Sequence, residues 1–401
     1  MVVLDKKCLI IPSWYPTLNN PLKGSFFREQ AAFLSHHKDI DIKVLYGLKQ
    51  STPLLKLLWI YFLSFIKSNL EIDRQFLPQN PIAYGFIIPD NRRVPDRFRI
   101  QLARYFYRKA YDSYVKINGI PDLIHAQSGM DASIYAHELS KINNIPFVII
   151  EHQVFVFHYY SRLRAKLILD AFKAATKIAT VSYDERRQVL MNQPECNPEV
   201  IWNLVDETKY EIDLSRRNRK FTIITILNSL PIKGAITFLE AIKEVVKMNH
   251  DVEFIMIGKG GDLDSKNAEH NMFITKSKEL GIYEKGTFLP FVERSKISDV
   301  LNRAHVFVSP TIQEPHGIAV REAMMCGLPV VTTANGGVED SITHETGLVV
   351  PVKNPQSLAE AIIKIKNKEV LINPQKIRNL AVFQCGRETF FKSMKSFYQV
   401  D

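Results

Sequence analysis

Glycine is scarce in this 401-residue chain, 17 in all, and only Gly24, Gly47, Gly85, Gly119 and Gly129 precede residue 206. That spacing has no collagen period and no flexible low-complexity tract. Cysteine is scarcer still: Cys8, Cys196, Cys326 and Cys385 lie far apart, with no C-x-x-C pair. A disulfide framework and a structural zinc site are thereby excluded, and a reducing, cytoplasmic compartment is expected. Long apolar runs are also missing. The stretch 54–66 (LLKLLWIYFLSFI) is apolar but for Lys56 and Ser64 and spans 13 residues, against about 20 for a helix that crosses a bilayer. Lys6 and Lys7 precede only a short apolar run before Pro12, which reads as a buried strand rather than a secretory leader. Acidic residues are outnumbered, 42 to 52, for a net charge of +10. A 46% hydrophobic and 23% charged composition excludes intrinsic disorder.

What is present is a rhythm. Short runs rich in Val and Ile (8–11, 40–46, 82–88, 123–126, 147–151, 178–181, 200–202) alternate with helix-period segments such as 26–36, 98–115, 131–142 and 163–174. The second half repeats it, with strands expected at 221–227, 252–257, 287–290, 306–309, 330–333 and 348–350. Continuous apolar strands separated by helices imply parallel sheets covered on both faces. The polar stretch after Asp206, with Arg216, Arg217, Arg219 and Lys220, has no periodicity and reads as a linker. The expected organisation is a first domain over 1–205, a linker over 206–220, a second domain over 221–373, and a helical segment over 374–401 packing back across both. In such α/β sheets ligands bind beyond the carboxyl ends of the strands.

The charge is uneven. Residues 92–116 carry eight Arg or Lys against Asp96 and Asp112, interleaved with Phe98, Tyr105, Phe106, Tyr107, Tyr111 and Tyr114. Together with 54–66 this suits either an anionic membrane surface or solvated helices over a core. No recognised motif supports nucleic acid.

The most informative stretch is VFVSPTIQEPHGIAVREA, from Val306 to Ala323. A strand leads into a loop holding Glu314, and Pro315-His316-Gly317 opens a helix that carries Glu322. A helix start presents free N–H groups and a positive dipole end, suited to a phosphate or to growing negative charge. Spacing alone favours an ordinary βα unit bearing two solvated glutamates. However, EPHGIAVREAMMCGLPVV, with Gly336-Gly337 and Thr346-Gly347 after it, resembles the E-x7-E block of the retaining glycosyltransferases of the large family 4, with His316 where an aromatic is usual. PSWYPTLNNPLKGSFFREQ (12–30) resembles the opening of bacterial members, and Lys233-Gly234 matches the family's K-G. The resemblance runs from Pro12 to about Ile365 and is weakest between Gln50 and Ile120.

It implies a GT-B fold, two Rossmann-like doubly wound parallel-sheet domains facing across a cleft. It also implies retaining transfer of a hexosyl group from a nucleotide sugar to an acceptor hydroxyl, in polysaccharide or lipid-linked glycan synthesis. His152 and Glu314 would be catalytic. The donor would meet Gly24, Asn228, Lys233, His316, Gly317, Ile318 and Glu322, with Glu322 on the ribose and Lys233 and Gly24 near the diphosphate. Asn228 stands where the family commonly has an arginine, and an amide cannot match a bidentate guanidinium on phosphate. No Asp-x-Asp stands where a metal would bridge a diphosphate, so neither a metal nor another cofactor is expected. The partners are then a nucleotide-sugar donor and a glycan or lipid-linked acceptor, for a cytoplasmic protein peripheral to the membrane. A sugar-nucleotide epimerase or phosphorylase of the same fold, or a non-catalytic sugar-nucleotide binder, are the alternatives. Gly258-Lys259-Gly260-Gly261 resembles a phosphate cradle without a dinucleotide spacing, and His125 and Gln127 at a strand end could face a ligand or cap a helix.

Overall fold

The computed structural model describes residues 6–18, 20–21, 23–64, 82–258 and 272–399. The chain divides into two compact units. The first comprises residues up to Val181, Glu185–Ile201 and the stretch from Phe391; the second comprises Ser182–Asp184 and Trp202–Phe390.

The first unit contains β1 (Lys6–Pro12), α1 (Ser25–Ser35), β2 (Ile40–Ser51), α2 (Leu54–Ser64), β3 (Ala83–Asp90), α3 (Asp96–Asn118), β4 (Leu123–Gln127), α4 (Ala132–Asn143), β5 (Phe147–Glu151), α5 (Arg162–Ala174), β6 (Lys177–Thr180), most of α6 (Tyr183–Asn192) and β7 (Glu199–Val200). Its strands form one parallel sheet in the order β3-β2-β1-β4-β5-β6-β7. The strands are apolar on both faces because helices cover both. Leu9, Ile11, Ile124, Ala126 and Ile149 share a core with residues of α3 and α4, where Ala103, Tyr107, Ala110 and Tyr114 recur at intervals of three or four. That spacing puts them on one stripe of α3 and leaves its basic residues elsewhere on the surface.

The basic excess of α3 is partly neutralised. Arg99 holds Asp90, with Nε–Oδ1 at 2.6 Å, and Arg104 and Arg108 both reach Glu138 on α4. The run 54–66 is a helix through Ser64, and its last two residues lie outside the described ones. It is no core helix. Leu57 is buried, but Leu55, Trp59 and Phe62 stand out at the surface. Among the described residues no helix is long and apolar enough to cross a membrane.

The second unit contains β8 (Phe221–Ile226), α7 (Ala235–Met248), β9 (Val252–Ile257), α8 (Met272–Glu279), β10 (Gly286–Leu289), α9 (Ile297–Leu301), β11 (Val306–Ser309), α10 (Ile318–Met325), β12 (Val330–Thr333), β13 (Gly347–Val350), α11 (Pro355–Lys366) and α12 (Pro374–Cys385). The parallel order is β10-β9-β8-β11-β12-β13. Alternate residues feed two cores. Ile223, Met256, Val308 and Val331 pack with residues of α7 and α11, while Ile224, Ile255, Phe307 and Val330 pack with residues of α10 and α12.

The polar stretch after Asp206 behaves differently from the linker expected over 206–220. Tyr210 is buried in the core that includes Ile224 and Ala323, Asp213 N–H donates to Asn302 Oδ1 at 2.9 Å, and Arg378 of α12 donates to the carbonyls of Tyr210 and Glu207. Side-chain pairing, which has no period, anchors it to the second unit. The helical segment over 374–401 is two helices, α12 and α13 (Arg387–Tyr398). Residues from Phe391 onward belong to the first unit, where Tyr398 Oη meets His125 Nδ1 at 2.7 Å. His125 is therefore buried against α13, and Gln127 Nε2 donates to Gln30 at 2.8 Å. Of the glycine-rich stretch 258–261, residues 259–261 lie outside the described ones.

Candidate functional site

Each sheet has one point where the strand order reverses: between β1 and β4 in the first unit, and between β8 and β11 in the second. Loops leaving two such neighbours diverge to opposite faces and open a crevice at the carboxyl end.

In the second unit the loops after β8 and β11 bring two of the expected residues together. Lys233 ends a short 3-10 turn (Pro231–Lys233), and its Nζ lies 2.7 Å from Glu314 Oε2. The turn joins α7 through Gly234 at φ 72°, where an added Cβ would fall 2.0 Å from the carbonyl oxygen of Pro310. The two loops are thus in backbone contact, which fixes the lysine against the glutamate. Glu314 is held in turn. Its N–H donates to the Asn335 carbonyl, its carbonyl accepts from Gly337 N–H, and its Oε1 accepts from Gly317 N–H at 3.3 Å. A Cβ on Gly337 would sit 2.1 Å from the Pro315 carbonyl oxygen, so only glycine admits this approach. Gly317 heads α10 with Ile318 as its first residue. One of the N–H groups expected at that helix start is therefore already engaged by Glu314.

Glu322, one turn into α10, is buried. Its Oε1 accepts from Tyr210 Oη at 2.8 Å and lies 3.0 Å from Arg294 Nη1. His316 is buried as well. Arg321 Nε donates to its Nε2 at 3.0 Å, so the neutral ring carries its proton on Nδ1. The Arg321 guanidinium lies 4.6 Å from the Trp202 ring centre, and burial pulls its pKa below the usual range. Asn228 stands exposed after β8, where its Oδ1 accepts from Leu230 N–H at 3.0 Å. That bond shapes the turn leading to Lys233.

In the first unit, Gly24 precedes α1 at φ 73°, and Phe27 of the first turn meets the His152 ring edge-on at 4.9 Å between centroids. Gly24 and His152 therefore belong to one neighbourhood, beside the ends of β1 and β5. Sequence reasoning missed its anchor, Glu151. This buried carboxylate accepts from the N–H groups of His152 (2.8 Å), Gln153 (2.9 Å) and Gly129 (2.7 Å) and from Ser128 Oγ (3.2 Å). Burial nevertheless outweighs those four donors and pushes its pKa up to about 7. A charged residue closing an otherwise apolar strand was the available signal. Arg294 and Tyr210 carried none, since they reach the site through tertiary packing, and Arg321 lies inside the Glu314–Glu322 block, where its neighbour Glu322 drew the reading. Among the described residues no three His, Cys, Asp or Glu side chains gather at metal-binding spacing.

Residues 206–381 match the family model described as glycosyl transferases group 1. An uncharacterized glycosyltransferase of Methanocaldococcus jannaschii is 26% identical over 284 residues, covering 64% of this chain and 70% of that protein. One component of the human phosphatidylinositol N-acetylglucosaminyltransferase is 26% identical over 279 residues, covering 67% of this chain; the match spans 55% of the human protein. Among solved structures, sucrose-phosphate synthase of Thermosynechococcus elongatus superposes with a TM-score of 0.75 at 17% identity, covering 98% of each chain. Anabaena Alr3699/HepE in complex with UDP superposes with a TM-score of 0.72 at 17% identity, covering 98% of this chain and 99% of that one. The fold is that of the GT-B glycosyltransferases, and the match to the group 1 model lies within the second unit.

Proposed function

We propose that this protein is a retaining glycosyltransferase that moves a hexosyl group from a nucleotide sugar to a hydroxyl of a glycan or lipid-linked acceptor, without a metal. The observation that carries the reading is the Lys233–Glu314 pair at the β8/β11 reversal, set beside the start of α10. When the bond from the anomeric carbon to the diphosphate breaks, negative charge grows on the departing oxygens. A fixed ammonium and a helix N-terminus are preorganised for that charge and need not reorient as it appears. Glu314 would hold the donor sugar hydroxyls together with the backbone at His316–Ile318, and Glu322 the ribose. Gly24 would lie by the diphosphate and His152 by the sugar. Support for a uridine nucleotide comes from the Anabaena neighbour, whose structure holds UDP. Support for a lipid-linked acceptor comes from the human relative, named for phosphatidylinositol. In this reading the protein serves cytoplasmic synthesis of cell-surface or lipid-linked glycan.

The test is transfer of labelled sugar from UDP-sugars to lipid-linked and soluble glycans, with the product's anomeric configuration read by NMR. Glu314→Ala should lower turnover by about 10²-fold or more, and Glu322→Ala should weaken nucleotide binding to a similar extent. Near wild-type transfer by both folded variants, or activity that needs a divalent cation, would overturn the assignment.

A further inference from the structure

The outward face of α2 plays no part in the transfer reading and is unusual for a surface helix. Leu57, Ile60 and Tyr61 turn inward against the first unit's core. A second apolar stripe turns outward at the same helical spacing, with Leu55 83%, Trp59 65% and Phe62 69% exposed. Beside it a groove of about 420 Å³ runs between α2 and the head of α3, lined by Leu54, Leu58, Tyr61, Phe98 and Leu102, with Arg93 at its rim. Contiguous apolar surface of this kind marks a site that something covers.

Charge identifies the occupant. Lys56, Arg92, Arg93 and Arg97 are exposed around the stripe, and none has a carboxylate partner among the described residues. The nearby acids are committed elsewhere: Asp90 to Arg99, and Asp96 to Arg164. Helix α2 itself contains no Asp or Glu. The basic residues farther along α3, Arg104 and Arg108, instead turn to Glu138. Cations without carboxylates around a Trp, Phe and Leu stripe match a layer with acyl chains below and phosphates above. A second copy of this chain would bring the same cations together, which opposes self-association through this face.

We propose that the outward face of α2 and the head of α3 dock on an anionic lipid bilayer, with Leu55, Trp59 and Phe62 entering the acyl boundary and Lys56, Arg92, Arg93 and Arg97 among the headgroups. This goes beyond the transfer reading and is tested without donor or acceptor, so either can fail alone.

The experiment is vesicle sedimentation of the full chain, using phosphatidylcholine alone or mixed with phosphatidylglycerol. The wild type should bind the mixed vesicles, less as salt rises, and leave the neutral ones unbound. The triple variant R92E/R93E/R97E should bind roughly a hundredfold more weakly, and W59E/F62E should lose most binding. Far-UV circular dichroism checks that these surface variants remain folded. R104E/R108E also reverses charge on α3 but lies on the Glu138 side, and should change binding far less. In the wild type, brominated acyl chains should quench Trp59 fluorescence, with the quenched component missing in W59F. No sedimentation with anionic lipid, equal binding to neutral vesicles, or an equal loss in R104E/R108E would overturn the proposal. So would a lipid-independent dimer dispersed by W59E/F62E, which would assign the face to a second copy.

Discussion

Lys233 Nζ and Glu314 Oε2 lie 2.7 Å apart, so each offsets the other's charge. An incoming diphosphate must share the lysine with the carboxylate that repels it. Removing the carboxylate should therefore separate binding from chemistry: Glu314→Ala should hold UDP as tightly as the wild type or several-fold tighter while turnover falls. Lys233→Ala should bind UDP several-fold more weakly. Titration calorimetry on both variants checks this, and a parallel loss of UDP affinity in Glu314→Ala would show that the carboxylate does not compete with the diphosphate for Lys233. Glu151 makes a prediction of opposite sign to the usual carboxylate. Its folded pKa of about 7 lies above the ordinary 4.5, so the folded protein binds this proton more tightly than the unfolded chain does. The stability it contributes is fully present below about pH 4.5 and is lost as pH rises to about 7, by about 3 kcal/mol at most. Glu151→Gln should flatten that slope when Tm is followed across the window. An identical slope in the variant would show that another group titrates.

Elements explain why the loops converge. The β8–α7 turn and the loop after β12 can both touch the loop after β11 because residues 234 and 337 have no side chain. Gly337→Ala would push its Cβ into the Pro315 carbonyl and should cost about 3 kcal/mol or more, together with the placement of Glu314. Thermal unfolding and UDP titration should both register it. If Tm and UDP affinity are unchanged, the close approach has no role in shaping the site. The strands were legible because parallel strands buried on both faces leave continuous apolar runs. The Glu314–Glu322 block was legible because its loop and helix are consecutive in the chain. What surrounds Glu322 was not, since Tyr210 and Arg294 arrive from stretches without period. The same cause made 206–220 read as a tether, although Tyr210 is buried in the second unit's core. The charge of α3 was visible, but its pairing with Glu138 on α4 depends on which helices become neighbours.

For the whole molecule, two units with separate cores make a single unfolding free energy ill-defined, so ligand effects are best resolved by region. With UDP at about a hundred times its Kd, the binding unit should gain about 2.7 kcal/mol against opening. Hydrogen exchange should show that protection around Gly317–Glu322, with β2 and β3 unchanged; protection confined to the first unit would relocate the nucleotide. The placement of α13 bears on how the molecule is made. Tyr398 closes over His125, and Lys6 Nζ donates to the Tyr398 carbonyl at 2.5 Å, yet Tyr398 follows the whole second unit in the chain. A ribosome must therefore finish every strand of the second sheet before the first can be sealed. Until then β1 and β4 wait with one edge of their packing open. Released chains truncated just before Phe391 should expose the first unit to protease while the second already resists it.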